Sequence, residues 1–187
     1  MEETIVSLKE KTQDSINKAL DHLKSELLKI RTGKASPSIL SGIMVDYYGN
    51  PTPLNQVANI STADSRTLAI QPWEKSMLGP IEQAIFQANL GLTPMNDGEF
   101  VRISIPPLTE ERRRDLVKQT KAYGEDAKVS MRSARHKLID FIKKEVKEGY
   151  PEDAGKKEEA AADSMVKAGY DQIDKILDAK ETDIMTV

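Results

Sequence analysis

The chain has 187 residues, 39% hydrophobic, 30% charged and only 5% aromatic, which suits one or two domains with mainly aliphatic cores. It has no cysteine, which excludes disulfides and thiolate metal sites and fits a reducing compartment. A net charge of −3 argues against a generic basic nucleic-acid binder; without a long apolar run, and with Met1-Glu2-Glu3-Thr4 unlike a signal peptide, the sequence reads as a soluble cytoplasmic protein.

Residues 2–30 predict a long helix. Ile5, Leu8, Thr12, Ile16, Ala19, Leu23, Leu27 and Ile30 recur at steps of three and four, uninterrupted by glycine or proline. Such a helix suits a bundle or a coiled coil. Arg31-Thr32-Gly33-Lys34-Ala35-Ser36-Pro37 ends it, because glycine fits a C-terminal cap and Ser36 precedes a proline.

From there to Pro107 the elements are shorter. Met44–Tyr48 is strand-like, with Gly49-Asn50-Pro51 as a turn. Leu54–Ile60 predicts a second, weaker strand, and Thr67–Gln71 a third, bounded by Pro72. Ser76–Asn89 reads as a short helix with Met77, Ile81, Ala84, Ile85 and Ala88 inward. Asn96-Asp97-Gly98 is a turn, and Phe100–Ile105 alternates as a strand. Residues 33–105 thus form a small α+β module. Trp73, the single tryptophan, is expected in a core or as a plug between domains. Of Tyr47 and Tyr48, adjacent on a strand, one is expected inside and one outside.

Pro106-Pro107-Leu108-Thr109 opens the longest element, Thr109–Lys147, which Gly149-Tyr150-Pro151 stops. About 40 helical residues span roughly 60 Å and need partners along their length. Leu116, Thr120, Tyr123, Ala127, Met131, Ala134, Leu138, Phe141 and Val146 make its apolar stripe. Lys118, Lys121, Lys128, Arg132 and Arg135 form a basic ridge centred roughly 130° away, at 100° per residue. The last segment, from Pro151, predicts a third helix with Ala162, Met165, Val166, Ile173, Ile176, Leu177 and Ile184 inward and Gly169 as a weak point.

Three long amphipathic helices solve their burial problem by packing together. The domains are therefore residues 1–31 with 106–187, and an inserted module of residues 32–105. Two crossings join them, and a paired short linker of this kind suggests a hinge. Charge is uneven. Residues 109–151 carry net +4, residues 152–187 net −5, and the two earlier segments −1 each. Charge alone leaves two readings of the ridge: a solvated face paired with acidic neighbours, or a face for phosphate.

No catalytic constellation is evident. There is no phosphate-binding or dinucleotide glycine loop, and His22 and His136 have neither triad nor zinc spacing. Glu110 and Glu111 sit at a helix start, where the dipole favours them. The sequence reads as a non-enzyme without metal or cofactor.

Taken together, Arg31–Pro37, Tyr47–Leu54, Pro72-Trp73-Glu74, Leu90–Gly98 and Ile105–Arg113 resemble the bacterial and organellar ribosome recycling factor family, in the family's order and over nearly the whole chain. The resemblance implies an α+β two-domain fold, a three-helix bundle with an inserted β/α/β module, L-shaped. It implies action with elongation factor G and GTP on the post-termination ribosome, splitting it into subunits and releasing mRNA and deacylated tRNA. The partner factor hydrolyses the GTP. The bundle is expected to bind large-subunit ribosomal RNA as a monomer, through Arg132, Arg135, Lys128, Lys121 and Lys118. The hinge is expected at Arg31, Thr32, Gly33, Lys34, Ala35, Ser36 and Pro37 and at Ile105, Pro106 and Pro107. The family's basic cluster usually reads Arg-Asn-x-Arg-Arg; here it is Arg132-Ser133-Ala134-Arg135-His136, so Ser133 and His136 depart. Lys34 stands where the family often has arginine. The rivals are a structural or adaptor coiled-coil protein without RNA binding and a nucleic-acid enzyme.

Overall fold

The computed structural model describes residues 4–186. The chain divides into two compact units, Met1–Arg31 with Glu110–Val187, and Thr32–Thr109. Residues 106–109, expected with the helices, fall with the inserted unit. Ile105 N donates to Arg66 O at 2.7 Å, and Leu108 lies against Gly33, so this stretch is tied to the insert until the long helix begins.

The first unit is three long helices, α1 (Ile5–Leu28), α4 (Glu110–Lys147) and α5 (Glu152–Met185), each packed on the other two. Thr4 starts α1 with a reciprocal capping box, its hydroxyl accepting from Ser7 N and its own N–H donating to Ser7 Oγ. The α1 seam is Ile5, Thr12, Ile16, Leu20, Leu23 and Leu27; Leu20 takes the inward place expected of Ala19. Thr12 and Thr120 are buried because each hydroxyl donates to the carbonyl four residues back, Leu8 O at 2.7 Å and Leu116 O at 2.8 Å.

On α4 the buried line is Leu116, Thr120, Gly124, Ala127, Met131, Leu138 and Ile142. Gly124 and Ile142 replace the expected Tyr123 and Phe141, one position along. Gly124 lets Leu177 of α5 approach so closely that a Cβ there would overlap it. Gly169 of α5 does the same at the centre of the bundle. A Cβ would stand 2.7 Å from Met131 Sδ and 3.1 Å from Ile16 Cγ2. It is a packing position where all three helices meet, not a weak point.

The inserted unit holds a two-stranded and a four-stranded antiparallel sheet with helix α3 (Leu78–Gln87). Strands β1 (Met44–Tyr47) and β2 (Asn50–Pro53) form a hairpin with Tyr47 opposite Asn50. Its two-residue loop, Tyr48-Gly49, has φ of 48° and 84°, the positive pair a tight hairpin requires. The turn therefore lies earlier than Gly49-Asn50-Pro51. Leu54–Val57 is a single helical turn, α2, and strand β3 (Ala58–Asp64) begins only after it. The larger sheet has the order β3, β4 (Thr67–Pro72), β6 (Val101–Ser104), β5 (Pro94–Asn96). Edge strand β5 has no counterpart in the sequence reading. Its proline starts the strand at the sheet's edge, where a missing N–H is tolerated. Val45, Leu68, Ile70, Ile81, Ile85, Val101 and Ile103 form an aliphatic core, and the partly buried Tyr47 packs against it.

Trp73 is 66% exposed, which corrects the expectation of a buried plug. Gln71, Pro72 and Trp73 are exposed, buried and exposed at the end of β4, and this alternation turns the indole outward. Tyr47 is half-buried and Tyr48 is 75% exposed. Both hydroxyls donate to Glu74, at 3.0 and 2.8 Å, and this carboxylate raises both phenol pKa values.

Candidate nucleic-acid interface

The ridge is built by the period of α4. Seven residues turn a helix through about 700°, so positions seven apart stay almost in line. Lys121, Lys128 and Arg135 make one such line. Lys118, Glu125 and Arg132 make a second, about 60° round the helix. The single ridge of the sequence reading is thus two parallel lines with different surroundings.

The first line borders α5 and is paired along its length. Lys121 Nζ lies 4.0 Å from Glu181 Oε1, Lys128 Nζ donates to Asp174 Oδ1 at 2.8 Å, and Arg135 Nε donates to Asp163 Oδ1 at 2.6 Å. α5 returns after a short turn, so Glu181 and Asp174, also seven apart, run against Lys121 and Lys128. The result is a charge ladder flanking an antiparallel helix seam. Lys128 is its most sheltered cation, 27% exposed, with Nζ 5.6 Å from the centre of the Tyr170 ring.

The second line faces outward. Lys118 is exposed. Arg132 is 52% exposed and donates from Nη2 to Glu125 Oε1 at 2.7 Å, one ridge step back on its own helix. Ser133 and His136 are exposed on the same stretch. The structure brings the five cations onto one side of the bundle but couples four of them to carboxylates. The paired, solvated face and the face expected to meet phosphate are therefore built from the same side chains. Exposed pairs of this kind contribute about 0.2–1 kcal/mol, small beside a charge-assisted bond to phosphate of about 1.5–3 kcal/mol.

Two contributors were missed in the sequence, Tyr170 and Glu125. Glu125 can be found from its place seven residues before Arg132 on the same helix, the ridge's own step. Nothing in the pattern marks Tyr170, which lies on α5 and meets Lys128 only after folding.

At the expected hinge, Ala35 N donates to Ser65 O at 2.8 Å, Ser36 caps the 3-10 turn Pro37–Leu40, and Ile105 is buried in the insert's core. These four positions belong to the body of the inserted unit. Arg31–Lys34 and Pro106–Pro107 lie outside every helix and strand, and Gly33 has a φ of +75° with Leu108 against its Cα. Among the described residues no group of three or more His, Asp or Glu is placed to hold a metal, and no helix is long and apolar enough to cross a membrane. His22 lies 3.8 Å from Glu26, its neighbour one turn on.

A family model described as ribosome recycling factor matches residues 23–185. The ribosome-recycling factor of Porphyromonas gingivalis is 52% identical over 178 residues, 95% of this chain and 96% of that protein. That of Flavobacterium johnsoniae is 50% identical over 187 residues, 100% of both chains. A solution structure of the ribosome recycling factor superposes with a TM-score of 0.79 at 33% identity, over 100% of both chains. A chain from models for the T. thermophilus ribosome recycling factor and the E. coli elongation factor G bound to the E. coli post-termination complex gives 0.64 at 38% identity, covering 98% of this chain and 100% of that one.

Proposed function

The chain belongs to the ribosome recycling factor family, and from that membership we infer how its two units divide the work of recycling. With elongation factor G and GTP, it dissociates the post-termination ribosome into subunits, freeing mRNA and deacylated tRNA. The observation that carries this reading is the match across residues 23–185, which spans both units and not the bundle alone.

In this reading the bundle docks on large-subunit ribosomal RNA through the ridge. Arg132 and Arg135 keep the planar guanidinium that pairs with phosphate, and they stand at the family's basic cluster. Phosphate contacts position the protein, and folded RNA is read by shape more than by sequence. The net −5 of residues 152–187 turns the far face of α5 away from RNA. The inserted unit moves on the short segments Arg31–Lys34 and Pro106–Pro107, and elongation factor G acts on it. GTP is consumed by that factor, and this chain supplies binding and leverage as a monomer in the cytoplasm, with no cofactor of its own.

The test is subunit splitting. Light scattering of purified post-termination ribosomes with elongation factor G and GTP is expected to fall when this protein is added and to stay constant without it. Salt-sensitive co-sedimentation with ribosomes without any splitting would refute the recycling role. Absence of both would favour an adaptor bundle.

A further inference from the structure

We propose that Asp163 and Asp174 of α5, with Glu125 on α4, occupy the ridge cations in competition with phosphate, so that docking on RNA proceeds by exchange of ion-pair partners and these acids set its affinity. The proposal rests on the ridge being the RNA-contacting face.

The asymmetry of burial carries it. In these three pairs the cation is the more sheltered member: Lys128 is 27% exposed against 58% for Asp174, Arg135 35% against 56% for Asp163, and Arg132 52% against 60% for Glu125; the looser Lys121–Glu181 pair has the opposite order, 64% against 40%, and is left out of the exchange. The cations are held in place by their stems, as Lys128 is over Tyr170, while the acids already stand in water. Releasing an acid therefore exposes little that was buried, and the exchange costs only the pair itself. Each guanidinium also uses a single nitrogen internally, Nε in Arg135 and Nη2 in Arg132, leaving other N–H donors for a phosphate oxygen. A fully desolvated pair could not exchange in this way, because releasing one partner would leave the other charge buried and uncompensated.

The competition has a consequence for specificity. A stray polyanion meeting one cation displaces one acid for a small gain. A folded RNA surface that meets several ridge positions at once displaces them together and keeps the sum. The acids thus favour the shaped target over loose nucleic acid.

The experiment measures binding of the full chain to purified bacterial ribosomes at about 0.1 M salt, where surface charges still feel one another. Asp163→Asn and Asp174→Asn are each expected to tighten binding about two- to fivefold. The gain should shrink as salt rises, because salt also loosens the internal pair. In an Arg135→Ala background, Asp163→Asn should have no further effect. Asp14→Asn, an equal charge change on α1, is the control and should not tighten binding. If Arg135→Ala weakens binding while neither aspartate variant tightens it, the acids only staple the helices and the proposal is overturned, with the ridge reading intact. Equal tightening by Asp14→Asn would also overturn it, as a bulk charge effect. If neither Arg132→Ala nor Arg135→Ala changes binding, the ridge reading falls and takes the proposal with it.

Discussion

Replacing Arg132 with alanine separates the two lines of the ridge. The side chain is 52% exposed and its internal partner is Glu125. A charge-assisted bond to phosphate is worth about 1.5–3 kcal/mol, and the internal pair given up to make it about 0.2–1 kcal/mol. The difference, about 1–2 kcal/mol, predicts binding to ribosomes weakened roughly 5- to 30-fold. One lost phosphate contact should also lower the slope of log affinity against log salt by about 0.7–0.9. Stability should stay within about 0.5 kcal/mol of the parent, because an exposed pair holds nothing buried. Lys128→Ala should behave differently. That lysine is more sheltered, lies over Tyr170 and bridges two helices, so its loss should cost about 0.5–2 kcal/mol of stability and less binding than Arg132→Ala. Affinity by co-sedimentation at three salt concentrations, with thermal melts of both variants, decides the matter. Unchanged affinity and salt slope for Arg132→Ala would refute the outward line as a phosphate contact. A Lys128→Ala protein of parental stability that binds worse than Arg132→Ala would reverse the two roles.

Gly169→Ala should destabilise the bundle. Alanine gains about 1 kcal/mol of helix propensity, but its Cβ would stand 2.7 Å from Met131 Sδ between side chains with no free surface, and overpacking of this kind costs about 1–3 kcal/mol. A net loss of about 1 kcal/mol lowers the melting temperature by roughly 2–4 °C, and a melt at or above the parent's would refute the packing argument. Asp97→Asn should loosen the β5–β6 turn, where the carboxylate accepts from Phe100 N, Glu99 N and Arg102 Nε. Those bonds lower its pKa from 3.8 to about 2, the backbone N–H of Phe100 contributing most. A depressed carboxyl stabilises the fold above 3.8 and loses that stabilisation as pH falls to about 2. The parent's advantage over the variant should therefore be full at neutral pH and vanish in acid, measured by melts across that window; equal stability at neutral pH would count against it.

How far the fold could be read from the sequence depended on what each signal encodes. Apolar periodicity found all three long helices because their burial repeats for many turns. It misplaced individual seam positions where a glycine did the packing. Gly124 and Gly169 carry no hydrophobic signal, and their role exists only through the partner side chains that approach them, Leu177 on one hand, Met131 and Ile16 on the other. In the insert, elements of three or four residues are too short to show a period. Leu54 and Val57, three apart, are inward on a helical turn, although the run to Ile60 is short and apolar enough to read as a weak strand. The size of Trp73 favours burial, but its place at the end of β4 fixes which way the ring points, and that way is outward.

The ridge was legible in its spacing and not in its meaning. Twelve basic residues in 109–151 and ten acidic ones in 152–187 are compatible with two helices that neutralise each other and with one helix that binds RNA. The geometry makes the two readings compatible, because the same Lys128 and Arg135 that meet Asp174 and Asp163 are the more sheltered partners in pairs whose acids are solvated. A surface built this way holds its cations in order by itself and leaves them free to exchange partners, as the proposed docking on RNA requires. That follows from magnitudes. Pairs worth a few tenths of a kcal/mol keep long cationic side chains in position, yet yield to a phosphate contact worth several times more. What the sequence lacked was the alignment of α4 against α5, since the register of two antiparallel helices depends on the turn between them and on glycine contacts that carry no charge signal at all.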